Sequence, residues 1–201
     1  MRCERWIVTI LLVSSMAIAA AAQAPAGGGQ RGGSAPAPPP MRLTSTSFPD
    51  GSQIPPKYTQ AGTQTSPQLT WTNVPPNTQS FVLHMHDMEG SRNKTTEDQL
   101  HWLVWNIPAS TTTLPEGVPQ GDLKDGSHQT SANGNGTYRG PGAPANGPLH
   151  HYVFEIFALD TKLDVPANAA DPFDTRMKVM SAVQGHVLGK AVYMGLFHRP
   201  E

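Results

Sequence analysis

The stretch "GPLHHYVFEIFALD", residues 147–160, has the pattern of a β-strand that begins with two adjacent histidines. A Gly-Pro breaker precedes it, and bulky apolar residues then alternate along it. Neighbouring side chains of a strand point to opposite faces, so His150 shares one face with Tyr152 and Phe154. His151 points to the other face, and therefore at most one of the two histidines can line a given pocket.

Four other stretches of the chain have the same character. They are short, rich in Val, Phe, Tyr and Trp, and bounded by turn sequences, as β-strands are. These stretches are "LTWTNV" (69–74), "SFVLHMHD" (80–87), "HWLVWNI" (101–107) and "KAVYMGLF" (190–197). Together the five strands predict a mainly β protein with the architecture of an antiparallel β-sandwich.

One segment near the C-terminus predicts an α-helix. Asp174 precedes "TRMKVMSAVQ" (175–184) and can cap it, and Gly185 can end it. Four apolar residues recur at helical spacing and predict a face that packs in the core: Met177, Met180, Val183 and Val187.

The composition indicates one turn-rich domain and argues against two classes of partner. Only 14% of the 201 residues are charged, and the chain has 20 prolines and 19 glycines. The formal net charge is −1, and no cluster of Lys and Arg occurs. The chain therefore lacks the positive surface of a nucleic-acid-binding or membrane-surface protein.

The N-terminus has the pattern of a signal peptide. Arg2 and Arg5 precede the apolar run "WIVTILLVSSMAIAAAA" (6–22), which ends in the small residues that signal peptidase requires. We therefore expect residues 1–22 to be removed and the protein to be exported, to the periplasm or the extracellular space. An uncleaved membrane anchor is the alternative, although the run is short and contains polar residues. The only cysteine, Cys3, lies in this segment, so the mature protein would have no disulfide.

Residues 23–42, "QAPAGGGQRGGSAPAPPPMR", consist mainly of Gly, Pro and Ala and cannot form a core. We expect a disordered linker here that contributes little to stability. The globular domain is then expected at residues 43–201, a length that can bury one good core.

Three polar residues are expected at the ends of predicted strands. Asp87 ends one strand, His101 opens the next, and His150 begins the strand described first. A hairpin-like connection brings Asp87 and His101 to the same end of the sheet. A carboxylate beside protonated imidazoles and exposed backbone N–H groups can bind a small phosphate or carboxylate. The residues thus predict a small anion pocket, while Asp87 taken alone could equally cap a turn.

Two further histidines allow a different interpretation. His84 and His86 are two residues apart and share a strand face, as metal ligands can. Solvent-exposed strand residues have the same spacing, and we favour that interpretation, with no metal and no cofactor. The motifs G-x-S-x-G and H-E-x-x-H and a phosphate loop are absent from the sequence.

Several motifs follow one another in a fixed order between residues 46 and 198. An "F…IP..Y…G…SP.L.W" pattern comes first, at Phe48, Ile54, Pro55, Tyr58, Gly62, Ser66, Pro67, Leu69 and Trp71. "HWLVWNIP" and "YRGPGAPANGPLHHYVFEIFALD" come next. This ordered set resembles the phosphatidylethanolamine-binding protein family, most closely its bacterial branch of Raf kinase inhibitor-like proteins.

The resemblance implies which residues would form a pocket. The family's "HRY" element falls on His150, His151 and Tyr152, with His150 and Tyr152 facing the ligand, as strand alternation also predicts. The family's pocket aspartate falls on Asp87 and its pocket histidine on His101. Its proline-bearing wall falls on Pro141 and Pro144. The implied ligand-binding set is Asp87, His101, Pro141, Pro144, His150 and Tyr152.

Three departures from the family pattern occur, and two of them concern the pocket wall. "DMEGS" (87–91) replaces the usual "DPDAP", so we expect this wall to be less rigid. Ala143 stands where a proline is common, and His151 replaces the arginine of "HRY". A wider or looser pocket is the expected result.

The resemblance also implies a fold and a function. The fold would have a large antiparallel sheet, a smaller sheet and a C-terminal helix, with a small cavity for phosphate, phosphoethanolamine or acetate. We expect a binding module in which His101 and His150 donate hydrogen bonds to a phosphate-like anion and Asp87 orients one imidazole. The alternative is a hydrolase of small phosphoesters that uses Asp87 with His101 or His150. Membrane contact is expected at most through lipid head groups. A homodimer is possible on the sequence alone. The sequence names no partner protein that this one would inhibit or modulate.

Export predicts a mature N-terminus at or near Gln23, because the small residues that signal peptidase recognises lie immediately before it. The intact mass of the exported protein measures this. A mass that still includes Cys3 would contradict the export assignment.

Overall fold

The computed structural model describes residues 38–92, 94–134, 136–167 and 171–201. The expected signal peptide and the first part of the expected linker, residues 23–37, lie outside the described residues. No helix in the described ranges is long and apolar enough to cross a membrane.

Two sheets account for the strands of the described residues. The smaller one has three strands in the order β1-β3-β6, namely β1 (Arg42–Thr44), β3 (Leu69–Thr72) and β6 (Thr113–Leu114). The larger one has six strands in the order β2-β9-β8-β4-β5-β7. These are β2 (Ser52–Gln53), β9 (Val187–Phe197), β8 (His150–Leu159), β4 (Ser80–Asp87), β5 (Gln99–Pro108) and β7 (His128–Thr130). All neighbours pair antiparallel except β2 with β9, which confirms the predicted mainly β fold with a large and a small sheet.

Side-chain alternation along the large sheet divides its core into two parts. Residues such as Tyr152 and Phe154 of β8 point toward the small sheet and pack with Leu69 and Trp71 of β3. Residues on the opposite face pack against the single α-helix of the described residues, α1 (Pro172–Ala182). The large sheet is therefore covered by the small sheet on one face and by α1 over part of the other, where Val192 of β9 stays exposed.

The helix starts earlier than the sequence predicted. Asp171, not Asp174, caps it: the Asp171 carboxylate accepts a hydrogen bond from the backbone N–H of Phe173 at 2.9 Å. Proline is favoured in the first turn, where its missing N–H would be unpaired in any case, so Pro172 fixes the start. The buried face consequently includes Phe173, and the expectation that Met177 packs in the core was wrong, because its side chain is 60% exposed.

Val187 was likewise misassigned to the helical face, since it is the first residue of β9. Val183 is buried and Met180 partly buried against the α1 side of the sheet, as predicted.

The last residues of the expected linker belong to the described fold. Arg42 pairs with Thr72 in the small sheet, and Met41 is buried. The Asn73 side-chain amide donates a hydrogen bond to the carbonyl of Pro40 at 2.9 Å. The fold therefore begins a few residues before the expected boundary at residue 43.

Two deletions should separate linker from fold. Removing residues 23–37 should change the melting temperature by no more than about 2 °C, because Gly/Pro-rich segments bury little apolar area. Removing residues 23–44 also removes Met41, Leu43 and the ladder of β1, which should cost about 3 kcal/mol or more and lower the melting temperature by about 6–12 °C. Thermal denaturation followed by circular dichroism measures both. Equal melting temperatures for the two deletions would show that β1 contributes nothing.

Candidate functional site

Asp87 and His150 meet where the end of β4 lies beside the start of β8. The two strands are antiparallel, with Asp87 opposite Tyr152. Nδ1 of His150 lies 2.8 Å and 3.0 Å from the two carboxylate oxygens of Asp87. Because an ionised carboxylate can only accept, His150 Nδ1–H is the donor, and the ring's Nε2 is left for a ligand. The side chains are 7% and 16% exposed for Asp87 and His150, so the pair is shielded yet reachable.

Asp87 also closes the turn that follows β4. Its Oδ1 accepts hydrogen bonds from the backbone N–H groups of Glu89 at 3.0 Å and Gly90 at 3.2 Å. A Cβ on Gly90 would lie 2.8 Å from the Cβ of Gln99, so only glycine allows this close approach of turn and strand. One carboxylate thus has both roles that the sequence left open, turn cap and partner of an imidazole.

His101 reaches the same region because β5 contains a β-bulge. Met85 pairs with Trp102 and His86 with Leu100, so His101 has no partner on β4. A bulge places two successive side chains on one face, and His101 accordingly lies with Trp102 on the face toward the small sheet. Strict alternation would have placed it on the α1 face.

His101 is only 2% exposed, and this burial determines its protonation state. Nδ1 donates to the carbonyl oxygen of Arg139 at 2.9 Å, and the Arg139 N–H donates to the carbonyl of His101 at 3.1 Å. Burial lowers the pKa of His101 to about 4. At pH 6–7 the unliganded imidazole is therefore neutral, in contrast to the charge that the sequence analysis expected of it.

Tyr152 lies between the two histidines and holds the adjacent loop. Its ring centroid is 5.0 Å from that of His101, edge to face, and 6.4 Å from that of His150. Its hydroxyl oxygen accepts the backbone N–H groups of Gly142 at 3.1 Å and Ala143 at 3.0 Å. Burial raises the pKa of Tyr152, and the negative charge of Asp87 raises it further, so the hydroxyl keeps its proton as a donor.

The two predicted wall prolines differ in position. Pro141 is buried, and its carbonyl accepts the backbone N–H of Gln60 at 2.9 Å. Pro144 is exposed. The structure thus brings together Asp87, His101, His150 and Tyr152, with the loop of Pro141 against Tyr152, whereas Pro144 faces solvent.

Glu89 belongs to the "DMEGS" wall segment but was not in the ligand-binding set predicted from the sequence. Its carboxylate accepts the backbone N–H of His151 at 2.7 Å, and the Nδ1 of His151 lies 2.5 Å from it. One of its oxygens lies within 4.8 Å of a ligand atom of Asp87 and of His150. Partial burial opposes its charge, but the hydrogen bonds from His151 outweigh this and lower the pKa of Glu89. The adjacent histidines therefore take different carboxylates, and a second negative charge lies at the site.

Comparisons with known proteins agree with the fold. Residues 44–198 match the family described as phosphatidylethanolamine-binding protein. The chain is 40% identical over 162 residues to a UPF0098 protein of Methanothermobacter thermautotrophicus, covering 79% of this chain and 99% of that protein. It is 34% identical over 138 residues to UPF0098 protein YbhB of Escherichia coli, covering 65% and 85% of the two chains.

Two solved structures share the architecture. CT736 of Chlamydia trachomatis, a phosphatidylethanolamine-binding protein homologue, superposes with a TM-score of 0.68 at 28% identity, covering 80% of this chain and 98% of that one. Escherichia coli YbcL, described as a member of the mammalian family, gives 0.67 at 26% identity, covering 79% and 98%. The chain therefore belongs to the phosphatidylethanolamine-binding protein family.

The depressed pKa of His101 predicts a loss of stability in acid. An unfolded histidine has a pKa of 6.5 and folded His101 has a pKa of about 4, so between these pH values the unfolded state binds more protons. The free energy of unfolding should therefore fall as pH falls through this window, by up to about 3 kcal/mol from His101 alone. His101→Asn should remove this part of the slope, and His186→Asn, an exposed histidine beside Asp160, should keep it. Urea unfolding across the window measures both, and an unchanged slope in His101→Asn would contradict the assignment.

Proposed function

We propose that this protein is an exported binding module that holds a small phosphate-bearing group at Asp87, His101, His150 and Tyr152. The observation that carries the proposal is the Asp87–His150 pair, in which a shielded carboxylate orients a partly exposed imidazole. A protonated imidazole held in this way donates a charge-assisted hydrogen bond from Nε2 to a phosphate oxygen. Membership of a family named for phosphatidylethanolamine binding supports the same ligand class.

The charges at the site favour a zwitterionic head group over inorganic phosphate. One carboxylate oxygen of Asp87 and one of Glu89 lie within 4.8 Å of a ring nitrogen of His150. A phosphate ion alone would be repelled by both, since close like charges interact strongly in a shielded site. Phosphoethanolamine can place its ammonium beside a carboxylate and its phosphate beside the imidazoles. We therefore expect phosphoethanolamine to bind more tightly than phosphate.

Binding should be coupled to proton uptake at His101. The free imidazole is neutral at pH 6–7 because burial holds its pKa at about 4. A phosphate group beside it favours the charged form, so the pKa of His101 rises in the complex. The affinity for a phosphate-bearing ligand should consequently fall as pH rises through the pKa that His101 has in the complex.

A hydrolase is the second candidate, and the same Asp87–His150 contact favours it. A carboxylate on Nδ1 fixes the imidazole tautomer that can act as a general base through Nε2. Such an enzyme would activate water toward a small phosphoester. Turnover of a phosphoester panel that is lost in Asp87→Asn would support this function, whereas saturable binding without product supports the binding module.

Two parts of the proposal concern its setting. Export follows from the pattern of residues 1–22 and would present the site to lipid head groups outside the cytoplasm. If the protein inhibits a partner, that partner would lie in the same compartment. An exported protein would not encounter a cytoplasmic kinase.

The adjacent histidines provide a matched pair of variants for the anion site. His150→Ala removes a charge-assisted hydrogen bond and should weaken phosphoethanolamine binding by about 1.5–3 kcal/mol. His151→Ala should change the affinity by less than about twofold, because the backbone N–H of residue 151 still holds Glu89 in place. Isothermal titration calorimetry with phosphoethanolamine measures both. Equal effects of the two substitutions, or no effect of either, would contradict the proposed site.

A further inference from the structure

A second polar cluster lies on the α1 face of the large sheet and takes no part in the proposed anion site. His84 and His86 of β4 are only 6% and 8% exposed, so their interpretation as solvent-exposed strand residues was wrong. Glu155 of β8 pairs directly opposite His84. Two imidazoles and a carboxylate are thus brought together by strand register alone.

The spacing of the donor atoms suits a tetrahedral metal ion. Oε2 of Glu155 lies 3.6 Å from Nδ1 of His84 and 3.4 Å from Nε2 of His86. Zinc binds such ligands at about 2.0–2.1 Å, which places tetrahedral donor atoms about 3.3 Å apart. All three ligand atoms lie within 4.8 Å of one another.

The histidine nitrogens of this cluster are buried without hydrogen bonds. Neither ring nitrogen of His84 has a hydrogen-bond partner among the described residues, nor does Nε2 of His86. Buried polar atoms are nearly always hydrogen-bonded, so three such nitrogens in one place call for an explanation. Nδ1 of His84 and Nε2 of His86 face Glu155, and a metal ion that binds there takes the place of the proton on Nε2 of His86.

The surrounding groups also match those of a metal site. Nδ1 of His86 is hydrogen-bonded to Oδ2 of Asp98, and a ligating histidine typically binds a carboxylate through its other nitrogen. Oδ1 of Asp98 accepts from Arg176 of α1 at 2.6 Å. Oε1 of Glu155 pairs with Lys190, which leaves Oε2 for the histidines. Each carboxylate therefore has one oxygen fixed by a cation and one directed to an imidazole.

We propose that His84, His86 and Glu155 bind a divalent transition-metal ion, with water as the fourth ligand. The chemistry of these three ligands favours Zn²⁺. Two imidazoles and one carboxylate form a known zinc ligand set, and these donors suit zinc better than calcium or magnesium. The rings stack in parallel, with centroids 4.4 Å apart and an angle of 7° between planes. Because the ring planes are parallel, the rings must tilt toward each other for both nitrogens to point at one metal ion.

The cluster of Asp87, Glu89 and His150 is a weaker metal site, although its ligand atoms also lie within 4.8 Å. Its His150 nitrogen is already hydrogen-bonded to Asp87, and its Glu89 carboxylate is held by His151. A metal ion there would have to displace these partners. The α1-face cluster, by contrast, offers nitrogens that no described residue occupies.

Zinc titration of untagged, metal-free protein tests the proposal. The full chain carries Cys3→Ser, so that its only thiol cannot bind the metal. Calorimetry with Zn²⁺ should show one equivalent bound, and Co²⁺ in its place should give the absorption bands of a tetrahedral site. His84→Gln and Glu155→Gln should each weaken zinc binding by about 100-fold or more, since changes to outer partners alone cost about 10–100-fold. Asp98→Asn, which changes an outer partner, should weaken zinc binding by about 10–100-fold.

Two controls identify the location of the metal. His150→Ala and His186→Gln, each a histidine paired with an aspartate elsewhere, should keep the zinc affinity of the parent chain. Circular dichroism confirms that each variant is folded. Absence of zinc binding in the parent chain, unchanged affinity in folded His84→Gln and Glu155→Gln, or loss of binding in His150→Ala would each overturn the proposal.

Discussion

The antiparallel pairing of β4 with β8 is the constraint on which both polar clusters depend. Its register sets Asp87 opposite Tyr152 and His84 opposite Glu155. Because side chains alternate between faces, Asp87 points toward the small sheet and His84 toward α1. One ladder of backbone hydrogen bonds thus positions a carboxylate–imidazole pair on one face and an imidazole–carboxylate cluster on the other.

Charge compensation makes burial of the second cluster tolerable. Burial opposes the positive charge of His86, but its hydrogen bond to Asp98 and the nearby Glu155 outweigh this and raise the pKa of His86 to about 9. His84 is the reverse case, because burial lowers its pKa and leaves it neutral beside its charged neighbour. Arg176 extends the network to α1, where unpaired burial of a guanidinium would be costly. The helix is therefore docked by charges as well as by apolar packing.

Strand alternation predicted more of this molecule than local signals did. It identified the long strands of the large sheet and the division between His150, which meets Asp87, and His151, which meets Glu89. It could not predict that a bulge turns His101 to the small-sheet face, because a bulge has no pattern in a single strand. Nor could it show that His84 and His86 are covered, since α1 and Asp98 that cover them are distant in sequence. The helix start was missed because the pattern of apolar residues was given more weight than the Asp-Pro pair at 171–172.

The alternating polar and apolar residues of β4 also have a consequence for folding. If β4 slipped by one residue along β8, every side chain would exchange faces. His84 and His86 would then enter the apolar core around Trp71 and Phe154, and Leu83 and Met85 would meet Arg176 and Asp98. Such a pairing would bury several charged groups without partners, which costs far more free energy than a loss of apolar contact. The polar residues therefore act as a marker of register during assembly, whichever ligands the finished protein binds.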